Sequence, residues 1–334
     1  MGSLKAFQSV FQLPQEMLPY IDLVASEREI DLVVGMGERP MTQAQIAEMM
    51  GLGGAEAEHF LLRAKQRAIV DRQADQAVPV YRAGTFYRRL TYLSMQQYDQ
   101  WRALPLADRE RLLAWHLEEN IRHHGLVHKL DLLRENPHAV EIHNRDILLL
   151  EQALELVEAA ELHVVVPCDC RTTVIACEHS RWNTCLRLDE RGRRTLEQGE
   201  GQIVSKQECR EIVLNAHQEG LIQTGQRAER GRTAILNGNC CPCCSYPFRA
   251  GIALGMAKQW PKSHYLAKRD LGLCDHCAQC VDRCPFGAFY SDGHNGRGGS
   301  DTKVVEFDAD KCWGCGLCAS TCPVGAIVME PLQQ

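Results

Sequence analysis

Two stretches near the carboxyl end carry the most informative pattern in this sequence: CDHCAQCVDRCP at residues 274–285 and CWGCGLCASTCP at residues 312–323. Both space four cysteines as Cys-x2-Cys-x2-Cys-x3-Cys and place a proline directly after the fourth. The likeness extends beyond the proline, where Phe-Gly-Ala-Phe-Tyr aligns with Val-Gly-Ala-Ile-Val. The two stretches are therefore copies of one unit, and their regular thiols predict two related metal-binding loops.

The spacing resembles that of two-cluster bacterial ferredoxins, which bind two [4Fe–4S] clusters. In that arrangement three closely spaced thiolates bind one cluster, and the cysteine before the proline reaches the other. The resemblance implies a first set, site 1, and a second set, site 2. Site 1 consists of Cys274, Cys277, Cys280 and Cys322, and site 2 consists of Cys312, Cys315, Cys318 and Cys284. A pair of zinc sites is the alternative, but four-cysteine zinc sites usually separate two Cys-x2-Cys pairs by a longer linker.

Composition places limits on the kind of protein this is. The chain has 334 residues, of which 45% are hydrophobic and 24% charged, so it can build ordinary cores and is not a disordered chain. Its net charge of -6 argues against a protein that coats nucleic acid. We see neither a signal peptide nor an apolar run long enough to span a bilayer, so we expect a cytoplasmic protein without membrane insertion.

All seventeen cysteines follow residue 167, so a cysteine-free half is joined to a cysteine-dense half. Dense thiols in a chain of this length without an export signal are metal ligands more often than disulfides. Nine of them lie outside the duplicated unit: Cys168, Cys170, Cys177, Cys185, Cys209, Cys240, Cys241, Cys243 and Cys244. The change in composition predicts a domain boundary, with a second metal-binding region ahead of the repeat.

Two segments of this middle region follow predicted strands, an apolar run at 162–166 and a shorter one at 233–236. The first segment reads Cys-Asp-Cys-Arg from residue 168, and the second reads Cys-Cys-Pro-Cys-Cys from residue 240. Adjacent cysteines do not easily ligate one small ion together, whereas a polynuclear cluster offers them separate corners. The pattern favours a cluster, with a zinc site and simple buried thiols as the alternatives.

The same region resembles an uncharacterised family of 4Fe-4S-binding proteins, in which Cys-x-Cys-Arg and Asn-Cys-Cys-x-Cys-Cys segments precede a two-cluster ferredoxin domain. The matching residues are Cys168, Cys170, Arg171, Asn239, Cys240, Cys241, Cys243 and Cys244. Ser245 stands where the family often has a further cysteine. The resemblance implies at least one additional [4Fe–4S] cluster, held by some of these six cysteines, with Arg171 or Asn239 hydrogen-bonding near it. Cys177 and Cys185 are weaker candidates for ligands. Cys209 lies in the middle of a predicted helix and is expected in the hydrophobic core.

Helix signals dominate the first quarter of the chain. Capping-box patterns begin at Ser26 and Thr42, and a third helix follows the glycines at 51–54. A short hairpin within 69–81 completes an order that resembles a winged helix-turn-helix over about residues 26–90. This segment carries nine basic and nine acidic side chains, whereas phosphate binding requires an excess of positive charge. We therefore expect a module that docks on protein, and we do not expect DNA binding.

Taken together, the patterns predict an α+β protein made of four segments. They are a winged-helix-like module at 1–90, a helical region at 91–161, a cysteine-rich α/β domain at 162–262 and a dicluster ferredoxin domain at 263–334. Within these we expect amphipathic helices at Leu106–Leu117 and Ile147–Leu162, a strand at Val304–Phe307 and a surface loop at Ser291–Thr302.

Motifs for organic cofactors and for nucleophilic catalysis are missing from the sequence. It has no Gly-x-Gly-x-x-Gly after a strand, no P-loop and no Gly-x-Ser-x-Gly. A cluster protein without its own two-electron cofactor needs redox partners at both ends, such as a flavoprotein or other iron–sulfur subunits. We therefore expect an electron-transfer subunit of an anaerobic hetero-oligomeric redox complex. The alternatives are a redox- or iron-sensing transcription regulator and an oxidoreductase with an open-site middle cluster.

Overall fold

The computed structural model describes residues 2–73, 78–136, 146–174, 177–180, 182, 184–197, 199–226, 235–291 and 304–332. Its mixture of helices and sheets confirms the predicted α+β class. The chain forms two compact units: unit 1 is Met1–His123 with Thr172–Ile175, and unit 2 is His124–Arg171 with Ala176–Gln334. The division thus falls inside the helical region expected at 91–161. None of the described helices has the length and apolar character needed to cross a bilayer.

Unit 1 contains eight helices and three short strands in its described part. Their bounds are α1 Gly2–Phe11, α2 Ile21–Val24, α3 Glu27–Met36, β1 Met41–Thr42, α4 Gln43–Met50, α5 Gly54–Gln66, β2 Val70–Gln73, β3 Val80–Ala83, α6 Phe86–Gln96, α7 Tyr98–Ala103 and α8 Leu106–His123. A 3₁₀ helix at Gln15–Tyr20 precedes α2. The helix predicted at Leu106–Leu117 is confirmed by α8, which continues for another one and a half turns.

Local capping explains why α3 and α4 begin where they do. The Ser26 side chain accepts a hydrogen bond from the backbone of Glu29, whose carboxylate accepts one in return. Thr42 and Gln45 repeat this arrangement at the start of α4. Each capping box satisfies two backbone groups that a helix end would otherwise leave unpaired. Both predicted helix starts are confirmed.

The strands of unit 1 form an antiparallel sheet in the order β1-β3-β2. In its register Val70 pairs with Ala83, and Met41 pairs with Tyr81. The predicted hairpin is therefore present, while its turn at residues 74–77 lies outside the described residues. Helices and strands follow in the order that the sequence predicts, and the assignment of this unit as a winged helix stays a prediction.

Unit 2 holds the remaining elements. Their bounds are α9 Leu126–Glu135, β4 Asp146–Ile147, α10 Leu150–Ala159, β5 His163–Val166, α11 Asp169–Thr173, β6 Cys185–Leu188, α12 Asp189–Glu197, β7 Gln202–Val204, α13 Lys206–Gln218, β8 Ile222–Gln226, β9 Ile235–Cys240, α14 Tyr246–Ala253, β10 Tyr265–Arg269, α15 Gln279–Arg283, β11 Phe289–Ser291, β12 Val305–Phe307, α16 Leu317–Thr321 and β13 Ile327–Pro331. The last three residues of α11 span the division between the two units, because Thr172 and Thr173 group with unit 1.

A six-stranded sheet in the order β4-β8-β9-β6-β5-β7 forms the centre of the middle domain. Each described strand pair in it is antiparallel, so the predicted α/β class is wrong for this domain in the strict sense. The apolar run at 162–166 predicts a buried strand, and β5 confirms this prediction, since all four of its residues are buried. A run buried on both faces occurs in central antiparallel strands as well as in parallel ones, so it does not report strand direction.

The helix predicted at Ile147–Leu162 is shorter than expected. Its first residue belongs to β4 instead. The backbone N–H of Ile147 donates to the Lys262 carbonyl at 3.0 Å, and that of Leu148 donates to the Gln223 carbonyl at 2.9 Å. The helix starts only at Leu150, once these sheet bonds are made. Tertiary pairing thus overrides a helical periodicity that continues through the strand.

The carboxyl-terminal segment is built from two short antiparallel pairs and two helices. Strand β10 pairs with β13, and β11 pairs with β12, so the first strand of the segment lies beside the last. The strand predicted at Val304–Phe307 is confirmed as β12. Most of the predicted surface loop, residues 292–303, lies outside the described residues.

This segment packs on the middle domain within unit 2. Trp313 stacks on Phe286, with ring centroids 4.8 Å apart, and both contact Phe248 of α14. The buried pair His264 and Asp146 adds a hydrogen bond of 2.7 Å. Aromatic burial of this kind supplies a large share of the stabilisation between packed segments, so the two segments form one continuous core.

Candidate metal centres

Site 2 has its four predicted thiols around one recess. Cys284, Cys312, Cys315 and Cys318 all line one small recess, together with apolar side chains that include Phe289, Trp313 and Leu317. The first three cysteines of the second repeat are each less than a tenth exposed. Burial, together with the charges of the neighbouring Cys284 and Cys312, raises the pKa of Cys315 to about 12. An enclosed four-thiol recess fits the donor set of a [4Fe–4S] cluster.

Site 1 lies nearer to the surface. Burial raises the pKa of Cys280 to about 11, and its charge neighbours are Cys274, Cys277 and Cys322, the other predicted members of the site. Cys277 is exposed, and Cys274 and Cys322 are partly exposed. The structure thus places Cys284 with the three thiols of the second loop and places Cys322 near Cys280 of the first. Ligation itself is a proposal that this grouping supports.

Backbone N–H groups donate hydrogen bonds to sulfurs of the predicted ligands, and one such bond occurs at the equivalent position of both repeats. The amide of Ala288 donates to Cys284 Sγ at 3.3 Å, and that of Ala326 donates to Cys322 Sγ at 3.2 Å. Gly314 adds a third such bond, to Cys312 Sγ at 3.4 Å. Hydrogen bonds to ligand sulfurs stabilise the thiolate and help to set the reduction potential of a cluster.

Position 314 in the second loop requires glycine for two reasons, its backbone conformation and the lack of room for a side chain. Gly314 has a φ of +62°, and a Cβ built there would lie 2.0 Å from the Tyr265 carbonyl oxygen of β10. The corresponding position in the first loop is His276, whose Nδ1 instead accepts a hydrogen bond from the Val305 backbone at 3.1 Å. His276 thereby ties its loop to β12. The first loop also carries Asp275, whose pKa is lowered by the hydrogen bond that it accepts from the Cys277 backbone.

The middle domain contains a tight group of four thiols, which we call the thiol pocket: Cys177, Cys241, Cys243 and Cys244. All their Sγ atoms lie within 4.8 Å of one another. The Sγ of Cys177 is 3.8 Å from that of Cys241 and 3.9 Å from that of Cys243, and the Cys243 and Cys244 sulfurs are 3.5 Å apart. Three members come from the turn between β9 and α14, and Cys177 comes from the segment after α11. The pKa of Cys241 is held well below its usual range by hydrogen bonds from the other three thiols.

A second thiol group lies at the end of β5. Cys168, Cys185 and the carboxylate of Asp169 have ligand atoms within 4.8 Å of one another, and Cys170 packs beside them. Burial and the charge of a nearby Cys168 thiolate raise the pKa of Cys240 to about 11. Cys240 is adjacent to Cys241 in sequence but is not a member of the thiol pocket. The six cysteines from which ligands of an additional cluster are expected therefore do not form one group: Cys241, Cys243 and Cys244 lie in the thiol pocket, and Cys168 and Cys170 lie at the end of β5.

Arg171 lies between the two groups and is 4% exposed. Its guanidinium donates to the carbonyl oxygens of Ser180, at 2.9 Å, and Asn239. Burial opposes the charged form, but the Cys168 and Cys241 thiolates raise the pKa of Arg171 above its usual range. This placement agrees with the role that the family resemblance implies for Arg171. Asn239 instead uses its side chain within the sheet, donating to the Thr184 carbonyl at 3.1 Å.

Sequence reasoning was right about Cys209 and underrated two other cysteines. Cys209 is fully buried in α13, where burial raises its pKa to about 12, so its assignment to the core is confirmed. Cys177 and Cys185 each join a thiol group, although neither belongs to a recognisable motif. Only Cys185 had a local signal, because it begins an alternating strand that would carry its side chain to the end of β5.

The comparison with known families gives one match. Residues 273–326 match the family model described as a 4Fe-4S dicluster domain. Comparisons with curated proteins and with solved structures gave no match. The match covers both duplicated stretches, so the carboxyl-terminal segment is a 4Fe-4S ferredoxin-type domain, which indicates iron–sulfur electron transfer.

Proposed function

We propose that this protein is an electron-transfer subunit of a larger redox complex, in which single electrons pass through two [4Fe–4S] clusters at sites 1 and 2. The observation that carries the proposal is the gathering of Cys284 with Cys312, Cys315 and Cys318 around one recess. A bound cluster would accept and release one electron at a time. The chain's own residues supply eight thiolates, sulfur-directed N–H groups and an apolar enclosure that keeps water from site 2.

The burial of the two sites supports an electron path that runs between site 1 at the surface and the middle domain, by way of site 2. Cys315 of site 2 belongs to an apolar cluster that includes Phe248 of the middle domain, and Cys240 packs against the same cluster. Site 2 is therefore linked by packed side chains to Cys240 at the end of β9. Any additional cluster held by Cys168, Cys170 and Cys240 would lie on this side, and its presence stays a prediction.

Site 1 supports the docking of a redox partner from solvent. Its exposed Cys277 lies in a loop that begins with Leu271 and Leu273, whose side chains are 68% and 56% exposed. Apolar side chains of this size are costly to leave in water, and their burial stabilises protein–protein contacts. A flavoprotein or another iron–sulfur subunit that covers this loop would approach site 1 directly.

The charges of unit 1 support protein docking over DNA binding. Arg28 pairs with Glu56 at 2.7 Å, at the start of α5, and Arg67 pairs with Glu29 at 2.8 Å. Arg88 pairs with Asp71. Guanidinium groups already held by carboxylates are less free to bind phosphate, so the nine-to-nine charge balance leaves little positive surface.

The direct test is anaerobic purification followed by iron and sulfide analysis and an EPR redox titration. We expect about eight irons per chain in the two ferredoxin sites, and two one-electron waves that both disappear when the cysteines of the repeats are replaced. Colourless protein with zinc at both sites would overturn the proposal. A separate experiment tests the docking loop. Electron transfer from a chemically reduced flavoprotein to the wild-type chain should be lost when Leu271 and Leu273 are covered or are replaced by charged residues.

A further inference from the structure

The size of the thiol pocket is the starting point for an assignment that differs from the expected cluster. One ion with four thiolates at about 2.3 Å in tetrahedral geometry places the sulfurs about 3.8 Å apart. The distances from Cys177 to Cys241 and Cys243, 3.8 and 3.9 Å, agree with that edge length, and the 3.5 Å from Cys243 to Cys244 is close to it. The pocket therefore has the dimensions of a mononuclear site, and the turn brings the sulfurs of the adjacent Cys243 and Cys244 to a spacing that fits one ion, contrary to the expectation from sequence.

The ferredoxin sites provide an internal comparison. In a [4Fe–4S] cube each thiolate binds a different iron atom, so the four sulfurs stand farther apart than they do around one ion. Among the residues that the structure describes, no three thiols of site 1 or site 2 come within 4.8 Å of one another. The same chain thus contains spread thiol sets where clusters are expected and one compact set in the thiol pocket.

Charge gives an independent reason for a metal-bound thiolate set. A divalent ion with four thiolates carries two negative charges, and the Arg171 guanidinium beside Cys241 supplies a positive one. Within the described residues no carboxylate lies within ion-pair distance of Arg171, whose side chain is 4% exposed. A buried guanidinium without a counter-charge is costly, and thiolates in the pocket would remove that cost.

The backbone also suits a closed structural site. After Cys241 the chain turns back on itself, with the Ser245 N–H donating to the Cys241 carbonyl at 3.0 Å, and this turn presents three thiols on one side. Cys177 closes the set from 64 residues away. Four protein ligands leave no open position, which is the arrangement of a structural rather than a catalytic zinc.

We propose that Cys177, Cys241, Cys243 and Cys244 bind one tetrahedral Zn²⁺ ion that joins the segment after α11 to the turn after β9. Zinc has no redox chemistry, so this centre holds the loops and Arg171 in place and carries no electrons. The assignment removes Cys241, Cys243 and Cys244 from the ligands of any additional cluster, and leaves Cys168, Cys170 and Cys240 for it. It does not depend on the proposed electron-transfer function, since it concerns a different set of thiols.

The test compares the full-length wild-type chain with Cys243→Ser and with Cys209→Ser. Cys243 is the exposed member of the pocket, so its replacement is compatible with folding, while Cys209 is a cysteine outside both thiol groups. Each protein is purified anaerobically, dialysed against a chelator and analysed for zinc and iron. We expect about one zinc per chain in wild type and in Cys209→Ser, and a loss of tenfold or more in Cys243→Ser, with the EPR signals of sites 1 and 2 unchanged.

Cobalt substitution gives a readout that does not depend on purity. Co²⁺ exchanged into the wild-type chain should show the intense visible absorption of a tetrahedral thiolate complex, and Cys243→Ser should lose it. The proposal is overturned if Cys243→Ser instead loses a set of irons beyond those of sites 1 and 2, or if it loses a single iron with no change in zinc. It is equally overturned if wild-type protein retains no zinc while all four thiols alkylate freely.

Discussion

At the scale of single residues, the crossed pairing of cysteines is the feature with the sharpest consequence. Cys284 follows the first ligand loop in sequence but lines the recess of Cys312, Cys315 and Cys318. Proline after this cysteine turns the chain away from its own loop, which is why the nearest thiols along the sequence are not its nearest partners in space.

Cys284→Ala should therefore remove most of the EPR signal of site 2 and leave that of site 1 largely intact. The reciprocal variant, Cys322→Ala, is the matched control and should do the opposite, because Cys322 lies near Cys280 of site 1. Redox-titrated EPR on anaerobic protein distinguishes the two signals. Loss of the site 1 signal in Cys284→Ala, with site 2 intact, would show that ligation is not crossed.

The resemblance of their spacing to two-cluster ferredoxins was sufficient to predict these eight thiols as ligands, since each loop presents three cysteines within seven residues. Residue types and spacing were insufficient for Cys177 and Cys185. The sequence distance from either residue to the other cysteines of its group follows no motif. Their positions depend on where separate strands and turns of the folded chain meet. A ligand contributed from a distant segment leaves no periodic signal in the sequence.

At the scale of elements, two glycines with the same backbone conformation have different surroundings. Gly314 and Gly287 have φ values of +62° and +64°, but only Gly314 has a neighbouring carbonyl, that of Tyr265, where a Cβ would lie. A side chain costs conformational energy at both positions and causes a steric clash at only one.

We expect Gly314→Ala to lower the free energy of unfolding by about 3 kcal/mol or more and to release iron from site 2. Gly287→Ala should cost about 1 kcal/mol and keep its iron. Chemical denaturation together with iron analysis checks both values. Equal losses from the two variants would show that the contact between the loop and β10 is not a constraint.

A buried histidine joins three elements of unit 2. His217 of α13 donates from Nδ1 to Gln223 Oε1 of β8 at 2.9 Å, since the Gln223 amide nitrogen is already donating to carbonyl and amide oxygens. Its Nε2 lies 2.7 Å from Ser320 Oγ of α16. Burial lowers the pKa of His217 below its usual value of 6.5, and the nearby Arg283 lowers it further.

The direction of the pH effect follows from this shift. Below about pH 6.5 the unfolded chain binds a proton at this histidine while the folded protein does not, so stability is full above that pH and falls as the pH drops through the lowered pKa. We expect the urea midpoint of the wild-type chain to fall between pH 7 and 5 more steeply than that of His217→Gln. Parallel slopes in the two proteins would mean that His217 is not the responsible group.

At the scale of the whole molecule, the balance of charge bears on the partner class. The chain carries a net charge of -6, and the basic side chains of unit 1 are matched by acidic ones, several of them in ion pairs. Non-specific DNA binding depends on the release of counterions by unpaired basic groups. The molecule lacks the excess of positive charge that non-specific DNA binding needs.

We therefore expect no retarded band when about 1 µM protein is mixed with duplex DNA at physiological salt, in either the oxidised or the reduced state. A triple variant that removes the pairing carboxylates, Glu29→Gln, Asp71→Asn and Glu56→Gln, is the matched control and should bind more tightly at low salt. Sequence-selective retardation by the wild-type chain, sensitive to cluster loss, would favour the regulator alternative over an electron-transfer subunit.

Local sequence by itself determined the two ferredoxin loops, the capped helix starts and the burial of Cys209, since each depends on residues within one or two turns of chain. Tertiary structure decided how the middle thiols divide. Strand β9 ends at Cys240, and the turn that follows it supplies Cys241, Cys243 and Cys244 to the thiol pocket. Sheet pairing positions Cys185 beside Cys168, and the segment after α11 brings Cys177 to the pocket. Spacing along a chain specifies ligands only when one loop supplies them, and the thiol pocket is supplied by two.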